Sequence, residues 1–477
     1  MKKKQLRWTL WTIASPFILF IILCILIYLP PIQNFLVDKA AVYASEATGM
    51  NISVGRISLS FPLNLVVTDV DAASPHKDTL LSVRRLQVNV QLLPLLKKQV
   101  EVDGISLQGA TVNSNDLIHG MRLNGTLGEL FISSHGVALD PETAIVNKVL
   151  LKDTDLSLCL NDTAAADTAA SDTTYWKIIL QDIDLQNVSF ALDMPLDSLS
   201  LAASLDNATL RDGLIDLHKS AYSLQTFRIK NGRVRYDSGR PSATASADSL
   251  SAGLDPSHIA LTDIGVKLDS LYYEGRNMKA IISQFVLKER SGVEIVSTEG
   301  RLVSNDKVLR VPSLKLETRD SYLELNAAMD WDALDFKKEG LVSARLMADI
   351  GKPDVVRFMG SMDEKFIRKY PSEPLRIRTG IDGDLNKLKL TTLTAELPGA
   401  LELFAKGELT SLTDSLLRGG DITLQAETKD LKFISTLAEG IEIPYGTRLE
   451  GKFTMAGPKM GTDLLLMQPE AHAVAAA

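Results

Sequence analysis

Residues 85–92 read RLQVNVQL, with Leu86, Val88, Val90 and Leu92 alternating against Arg85, Gln87, Asn89 and Gln91. Successive side chains of a strand point to opposite faces, so this octet makes a strand with one apolar and one polar face. The same period of two runs through Leu59, Phe61, Leu63, Leu65 and Val67 upstream. Downstream it returns in Ile264, Val266 and Leu268 against Asp263, Lys267 and Asp269, in Leu323 and Leu325 against Glu324 and Asn326, and in Ile422 and Leu424 against Thr423 and Gln425. The body from Asn51 onward therefore reads as strand after strand.

Three stretches align without gaps: 100–112 (VEVDGISLQGATV), 178–190 (IILQDIDLQNVSF) and 222–234 (YSLQTFRIKNGRV). Each places apolar or small residues at its first, third, sixth, eighth, eleventh and thirteenth positions. The alternation slips at a polar or small residue, the signature of a bulge or a tight turn. A longer unit follows. Pro353 opens a helix candidate at 354–369 that leads into PLRIRTGIDGDLNKLKL, and a second candidate at 430–439 leads into IPYGTRLEGKFTMAG. Such repetition favours a quasi-linear stack of strands.

Composition narrows the function. The chain of 477 residues is 45% hydrophobic and 23% charged, which excludes an acidic disordered tail and a disulfide scaffold. Lys2, Lys3, Lys4 and Arg7 precede the first acidic residue, Asp38, leaving 47 of the 51 basic residues against all 59 acidic ones. A body at net −12 is a poor nucleic-acid groove. Cys24 and Cys159 read as buried filler. The six histidines are scattered singly, so no metal site is expected.

Leu10 to Leu29 (LWTIASPFILFIILCILIYL) carries no charge. As a helix it would reach roughly 30 Å, one hydrocarbon thickness, with Trp8, Trp11 and Tyr28 at its ends. It reads as a single span over residues 1–31, the basic tip cytoplasmic and the bulk of the chain outside. A cleaved signal fits less well, because the run is long and Ile32, Gln33 and Asn34 after Pro30-Pro31 offer no small-x-small site. A lipoprotein site at Cys24 fails on Ile22 and Leu23. Residues 32–49 read as a short juxtamembrane helix ended by Gly49, resting on the bilayer or packing on the first strands.

The stretch 49–113 carries Gly55-Arg56-Ile57 at a strand entry, the Phe61-Pro62 step, the Asp78-Thr79-Leu80 turn, the Leu93-Pro94-Leu95-Leu96 crossover and the repeated strand 100–112. With the basic tip and apolar run before it, this stretch resembles the N-terminus of the AsmA-like / TamB (translocation and assembly module) family, in a Bacteroidetes-type form. Residues 372–457 look like a later repeat of that family. The resemblance implies an elongated, taco-like antiparallel β-groove with a few short helices, hydrophobic inside and anchored in the inner (plasma) membrane with its bulk periplasmic. It also implies passage of phospholipids between inner and outer membranes, or help in inserting outer-membrane or secreted proteins together with an outer-membrane β-barrel partner. TamB-type members are longer and end in a domain that docks with that barrel. LLLMQPEAHAVAAA at 464–477 matches neither that domain nor the strand pattern, which predicts an irregular tail over 458–477 and a truncated or interrupted form.

The expected organisation is therefore an anchor at 1–31, a helix at 32–49, groove repeats over 50–352 with a flexible insertion at 161–174, further helix-plus-strand repeats over 353–457, and the tail. Candidate groove contacts to phospholipid acyl chains are Leu59, Phe61, Leu63, Leu65, Leu86, Val88, Val90, Leu92, Ile264, Val266, Leu268, Leu323, Leu325, Ile422 and Leu424. In an ordinary sandwich the same residues would be core, and alternation alone does not separate the two. A continuous trough would suit lipid, since each methylene kept from water is worth about 0.8 kcal/mol.

No catalytic motif stands out, and neither enzyme chemistry nor a cofactor is expected. There is no G-x-S-x-G, H-E-x-x-H, P-loop or G-x-G-x-x-G. The pairs Asp69/Asp71, Asp153/Asp155, Asp182/Asp184 and Asp382/Asp384 have a spacing that can hold a metal, but in a strand it simply places both carboxylates on one wet face. Asp-Ser/Thr followed by an apolar residue or Thr recurs along the chain and resembles an O-glycosylation signal of exported Bacteroidetes proteins. Thr163, Thr168 and Thr173 in the exposed run 161–174 are the candidate acceptors; ordinary turn chemistry explains most other copies.

Overall fold

The structure is a computed structural model. From residue 50 on it describes all residues except 61–63, 75–78, 92–101, 115–119, 139–141, 162–174, 240–252, 336–337, 339, 360–363, 413–415, 437–442, 469–470 and 477; upstream it describes Lys39, Ala41, Val42 and Ser45, all four helical. The fold is mainly β, in two units, Met1–His218 and Lys219–Ala477.

The first unit holds β1 (Asn51–Ser60), β2 (Asn64–Ala73), β3 (Thr79–Val90), β4 (Val102–Asn113), β5 (Met121–Ala138), β6 (Thr143–Leu160), β7 (Lys177–Met194) and β8 (Leu199–Asp216). β1 to β6 form an antiparallel meander, and β7 pairs antiparallel with β8. The expectation of a purely antiparallel sheet is corrected at β6–β7, which pair in parallel from Thr143↔Lys177 to Cys159↔Asp193. A hairpin cannot join parallel strands; a crossover of a dozen or more residues is needed, and the Asp/Ala/Thr insertion supplies that length.

The second unit begins with β9 (Ala221–Leu224) and β10 (Thr226–Ser238), both paired to β11 (His258–Glu274). An antiparallel meander continues through β12 (Asn277–Glu289), β13 (Glu294–Ser304), β14 (Val308–Thr318), β15 (Tyr322–Asp330) and β16 (Val342–Ile350). It ends with β17 (Leu375–Gly383), β18 (Lys387–Leu397), β19 (Leu401–Thr410), β20 (Gly419–Thr428), β21 (Arg448–Ala456), β22 (Lys459–Gln468) and β23 (Ala471–Ala476). The irregular tail expected over 458–477 is thus corrected to two strands. The run Leu464–Leu466 hides the alternation, and pairing with β21 imposes it.

Within each unit, the strands in extensive contact are hydrogen-bonded neighbours. Two short helices, α1 (Lys352–Met359) and α2 (Glu364–Lys369), occupy the 354–369 candidate. At 430–439 the described residues form only a 3-10 turn, Ile434–Thr436.

α1, α2 and that turn build the one cluster of buried aromatics among the described residues. Phe366, Tyr370, Leu397, Ala400, Leu431 and Phe433 are buried together, with Leu375 and Leu401 against them. The Phe433 ring lies 5.7 Å from Phe366 and 5.2 Å from Tyr370. α1 is tied down by Asp354, fully buried, which accepts from Ser321 Oγ (2.6 Å), the Thr318 hydroxyl and Arg357 Nη1 (2.9 Å). Arg357 also reaches Asp320 (2.8 Å), and these carboxylates outweigh the effect of burial and hold its guanidinium above the ordinary value.

Reading the chain as a single-pass inner-membrane protein with a periplasmic body is corrected: among the described residues no helix is long and apolar enough to cross a membrane. Leu10–Leu29 and Cys24 lie outside the described residues.

Candidate functional site

Register decides which side chains share a face, because directly paired residues of neighbouring strands project to the same side. In the first unit one row runs Leu59, Leu65, Val88, Ile105, Ile132, Val149, Ile183, Leu210 across all eight strands. Beside it runs Ile57, Val67, Leu86, Leu107, Leu130, Leu151, Leu185, Ala208. A third row is Val54, Val70, Val83, Ala110, Leu127, Thr154, Val188, Leu205, with one polar member.

Between the second and third rows the alternation skips a residue in every strand. The skipped residues are Gly55, Asp69, Arg84, Gly109, Gly128, Asp153, Asn187 and Asp206, one per strand and aligned across the sheet. On β2, β4, β6 and β7 they take the left-handed conformation, with φ of 55° at Asp69, 63° at Gly109, 50° at Asp153 and 51° at Asn187. Asp, Asn and Gly are the residues that adopt it at least cost. On β5 the skipped position has to be glycine, since a Cβ at Gly128 would lie 2.7 Å from the Asp153 Cβ. Each skip shifts the parity by one, so the strand pattern changes phase while the apolar side chains stay on one face.

That face is only half covered. Leu81, Ile105 and Phe190 on it are 36–38% exposed, and the buried apolar residues described in this unit are Ala72, Leu80, Val83, Ala110 and Ala208. The opposite face carries Ser58, Gln87, Ser106, Asp184 and Thr209 in register, interrupted by Val66, Phe131 and Leu150.

In the second unit the longest row crosses thirteen strands: Phe227, Leu268, Ile282, Gly300, Leu314, Leu325, Leu346, Thr379, Leu393, Ala405, Leu424, Gly451, Leu464. Val266 pairs with Ile229 and Phe285, Ile264 with Gly232, Leu323 with Leu316 and Ala348, and Ile422 with Gly407 and Phe453. All seven candidates in this unit thus share one face. In the first unit Leu59, Leu65, Leu86, Val88 and Val90 share the face described above, whereas Phe61, Leu63, Leu92 and the candidate acceptors Thr163, Thr168 and Thr173 lie outside the described residues.

The polar face of the second unit is laced by cross-strand ion pairs, including Arg378–Asp349 (2.7 Å), Lys429–Glu402 (2.7 Å), Lys387–Glu408 (3.2 Å) and Arg448–Glu427 (3.3 Å). Exposed pairs contribute about 0–1 kcal/mol each. Their weight lies in keeping that face wet and the apolar face distinct.

The Asp-x-Asp pairs serve the fold. Asp182 and Asp184 both hold Arg211, the latter at 3.1 Å; Asp153 accepts from Asn187 (2.9 Å), and Asp155 from the Ser189 hydroxyl. Asp382 accepts from Ser343 (2.5 Å), and Asp384 closes a turn on the amides of Asn386 and Lys387 (2.7 Å each). Cys159, expected buried, is half-buried on the polar side with its Sγ 3.2 Å from Asn161 Oδ1. The chain matches no model of a known protein family and no curated protein.

Proposed function

We propose that the protein is a non-enzymatic lipid-shielding conduit that accommodates phospholipid acyl chains on the apolar sheet faces and carries them between membranes, in the service of outer-membrane biogenesis. The observation that carries this reading is the row from Leu59 to Leu210, apolar at every one of eight strands, with Ile105 within it still 36% exposed. A soluble sheet normally buries such a face in a sandwich or barrel. Leaving it half covered suits a guest that is itself apolar. The resemblance of residues 49–113 to AsmA-like proteins supports the same reading.

The alternative, in which an unpaired strand edge templates client proteins for an outer-membrane barrel, draws less support. At the β1 edge the Ile52 amide already donates to Ser45 Oγ at 3.0 Å. The test is native mass spectrometry with lipid extraction on the full chain released from mild detergent. Phospholipid retained by the wild type and lost from Val88→Asp is the expected result; a folded protein that carries no lipid would overturn the proposal.

A further inference from the structure

Successive antiparallel strands reverse direction, so every second connection of the second unit falls at the same end of its strands. At the end bearing the β15–β16, β19–β20 and β21–β22 connections, five large apolar side chains stand in water. Leu334 and Leu341 are 60% and 64% exposed, Leu416 and Leu417 76% and 71%, and Met460 59%. Turns are ordinarily built from polar residues and glycine, so this is an unusual place to spend leucines.

The tips are held in place. The Asp330 amide donates to Leu341 O (2.8 Å), and the Leu341 amide returns to Asp330 Oδ2 (3.0 Å). The Gly457 amide donates to Arg418 O (2.7 Å) and Arg418 Nε to Gly457 O (2.9 Å), which bolts the Leu416–Leu417 turn to the one bearing Met460. Trp331 stands on the same rim. Its indole N–H donates to Asn305 O (2.8 Å), and the Arg276 guanidinium lies 5.5 Å from its ring centroid.

The occupant follows from the arrangement. The β17–β18 turn, carrying Asp384, separates Leu341 from Leu416, so the apolar tips form separate points rather than the contiguous patch that a protein interface packs. A fluid bilayer accepts separate points without shape complementarity, and a tryptophan with its N–H satisfied is at home at headgroup level. Lys338 pairs with Asp332 (3.0 Å), and the described turns of this rim set Arg276, Lys307, Lys338, Arg418 and Lys459 against Glu274, Asp306, Asp332, Asp335 and Asp384, so net attraction to anionic headgroups is not what the rim offers. The apolar face reaches this rim through Leu409 and Met455; the other end of the same strands carries the buried Phe366–Tyr370–Phe433 cluster, with Phe358, Met359 and Tyr445 exposed around it.

We propose that this rim of the second unit rests on a phospholipid bilayer, with Leu416, Leu417 and Met460 below the headgroups and Trp331 at their level. The inference goes beyond the acyl-shielding reading and does not depend on it. Its test is local, so that contact of any other segment with lipid does not enter. In the full chain carrying Cys24→Ser and Cys159→Ser, an environment-sensitive fluorophore is placed at Leu416→Cys, at Met460→Cys or, at the opposite end of the strands, at Tyr445→Cys.

With phosphatidylcholine vesicles, emission at 416 and 460 shifts to the blue and is quenched by nitroxide-labelled lipid, and 445 stays water-like. Raising salt from about 0.1 M to about 0.5 M leaves the quenching unchanged, since exposed charges are screened at both strengths and none carries the contact. Leu417→Asp lowers quenching at 460 by about twofold or more, as expected for an apolar anchor. Water-like emission at 416 and 460, equal quenching at 445, or a blue shift without vesicles would each overturn the proposal. Phospholipid retained by the same preparation is measured separately, and its loss with rim quenching intact refutes acyl shielding alone.

Discussion

Replacing Val88 by Asp tests the apolar face where its rows are least interrupted. Val88 is half-buried and pairs with Leu65 on one side and Ile105 on the other, itself 36% exposed. A carboxylate there keeps its water and drives an overlying acyl chain off the residue and its flanks. Losing contact with about four methylenes at about 0.8 kcal/mol each removes roughly 3 kcal/mol of shielding. Lipid retention should then fall by about two orders of magnitude. The cost to folding is smaller, because what the sheet itself loses is two cross-strand apolar contacts, about 0.4–2 kcal/mol together. Gln87→Asp is the control: its side chain lies on the opposite face, in register with Val66 and Ser106, and it brings the same aspartate into the same strand. The assay is the molar ratio of phospholipid to protein by extraction and native mass spectrometry, alongside a urea titration of each variant. If Val88→Asp keeps its lipid, or if Gln87→Asp loses as much, the apolar face is not where lipid lies.

Three further outcomes are expected. Phe433→Ala removes the ring shared by Phe366 and Tyr370 and should cost about 3–5 kcal/mol, read as an early denaturation step and lost near-ultraviolet dichroism from Tyr370; a single unshifted transition would contradict the cluster's role. Asn187→Val forces a β-branched residue into a φ of 51° and should destabilise by about 1–2 kcal/mol more than Asn187→Gly, which loses the same bond to Asp153; equal urea midpoints would count against the seam. Burial tends to raise the carboxyl of Glu289, but bonds from the amides of Ser291 (2.5 Å) and Ala260 (3.2 Å) outweigh it and leave it below its ordinary value of 4.5. A depressed folded value means stability that is present above 4.5 and lost as pH falls through the folded value, so wild type should weaken below 4.5 relative to Glu289→Gln. Parallel acid profiles of the two proteins would refute this.

Much of the apolar face was legible, and the reason is local. Alternation in 85–92 and 264–268 needs no partner to be read, and register then places every described candidate of a unit on one face. What alternation cannot supply is the neighbour. Nothing in the residues of 143–160 and 177–194 says that these strands run parallel, because side-chain pattern does not depend on strand direction. The tail at 459–468 was unreadable for a different reason, since three consecutive leucines fit either a strand or a helix until β21 pairs with them. Nor did spacing alone separate a metal pair from Asp182 and Asp184 gripping Arg211, a residue 27 positions away from the nearer of them.

The aligned skip from Gly55 to Asp206 joins the sequence pattern to the proposed function. With strict alternation Val54, Val70, Val83 and Val188 would fall on the wet side of their strands, because each sits three residues from Ile57, Val67, Leu86 and Leu185 and not two. A skip in one strand alone would leave its neighbours out of phase and break every row beyond it. Only a skip at the same level in all eight strands keeps the third row on the same side as the first two. The residue type at each level follows from its partner: left-handed Asp153 beside Gly128, left-handed Gly109 beside the long side chain of Arg84. The eight skipped residues lie along one transverse line, each opposite the next with no shift of register at that level. The apolar rows run beside that line across the strands, the direction in which a guest longer than one strand spacing of about 4.8 Å keeps contact with successive strands. A sheet whose polar and apolar faces mattered only for stability would not need its phase corrected in every strand at once.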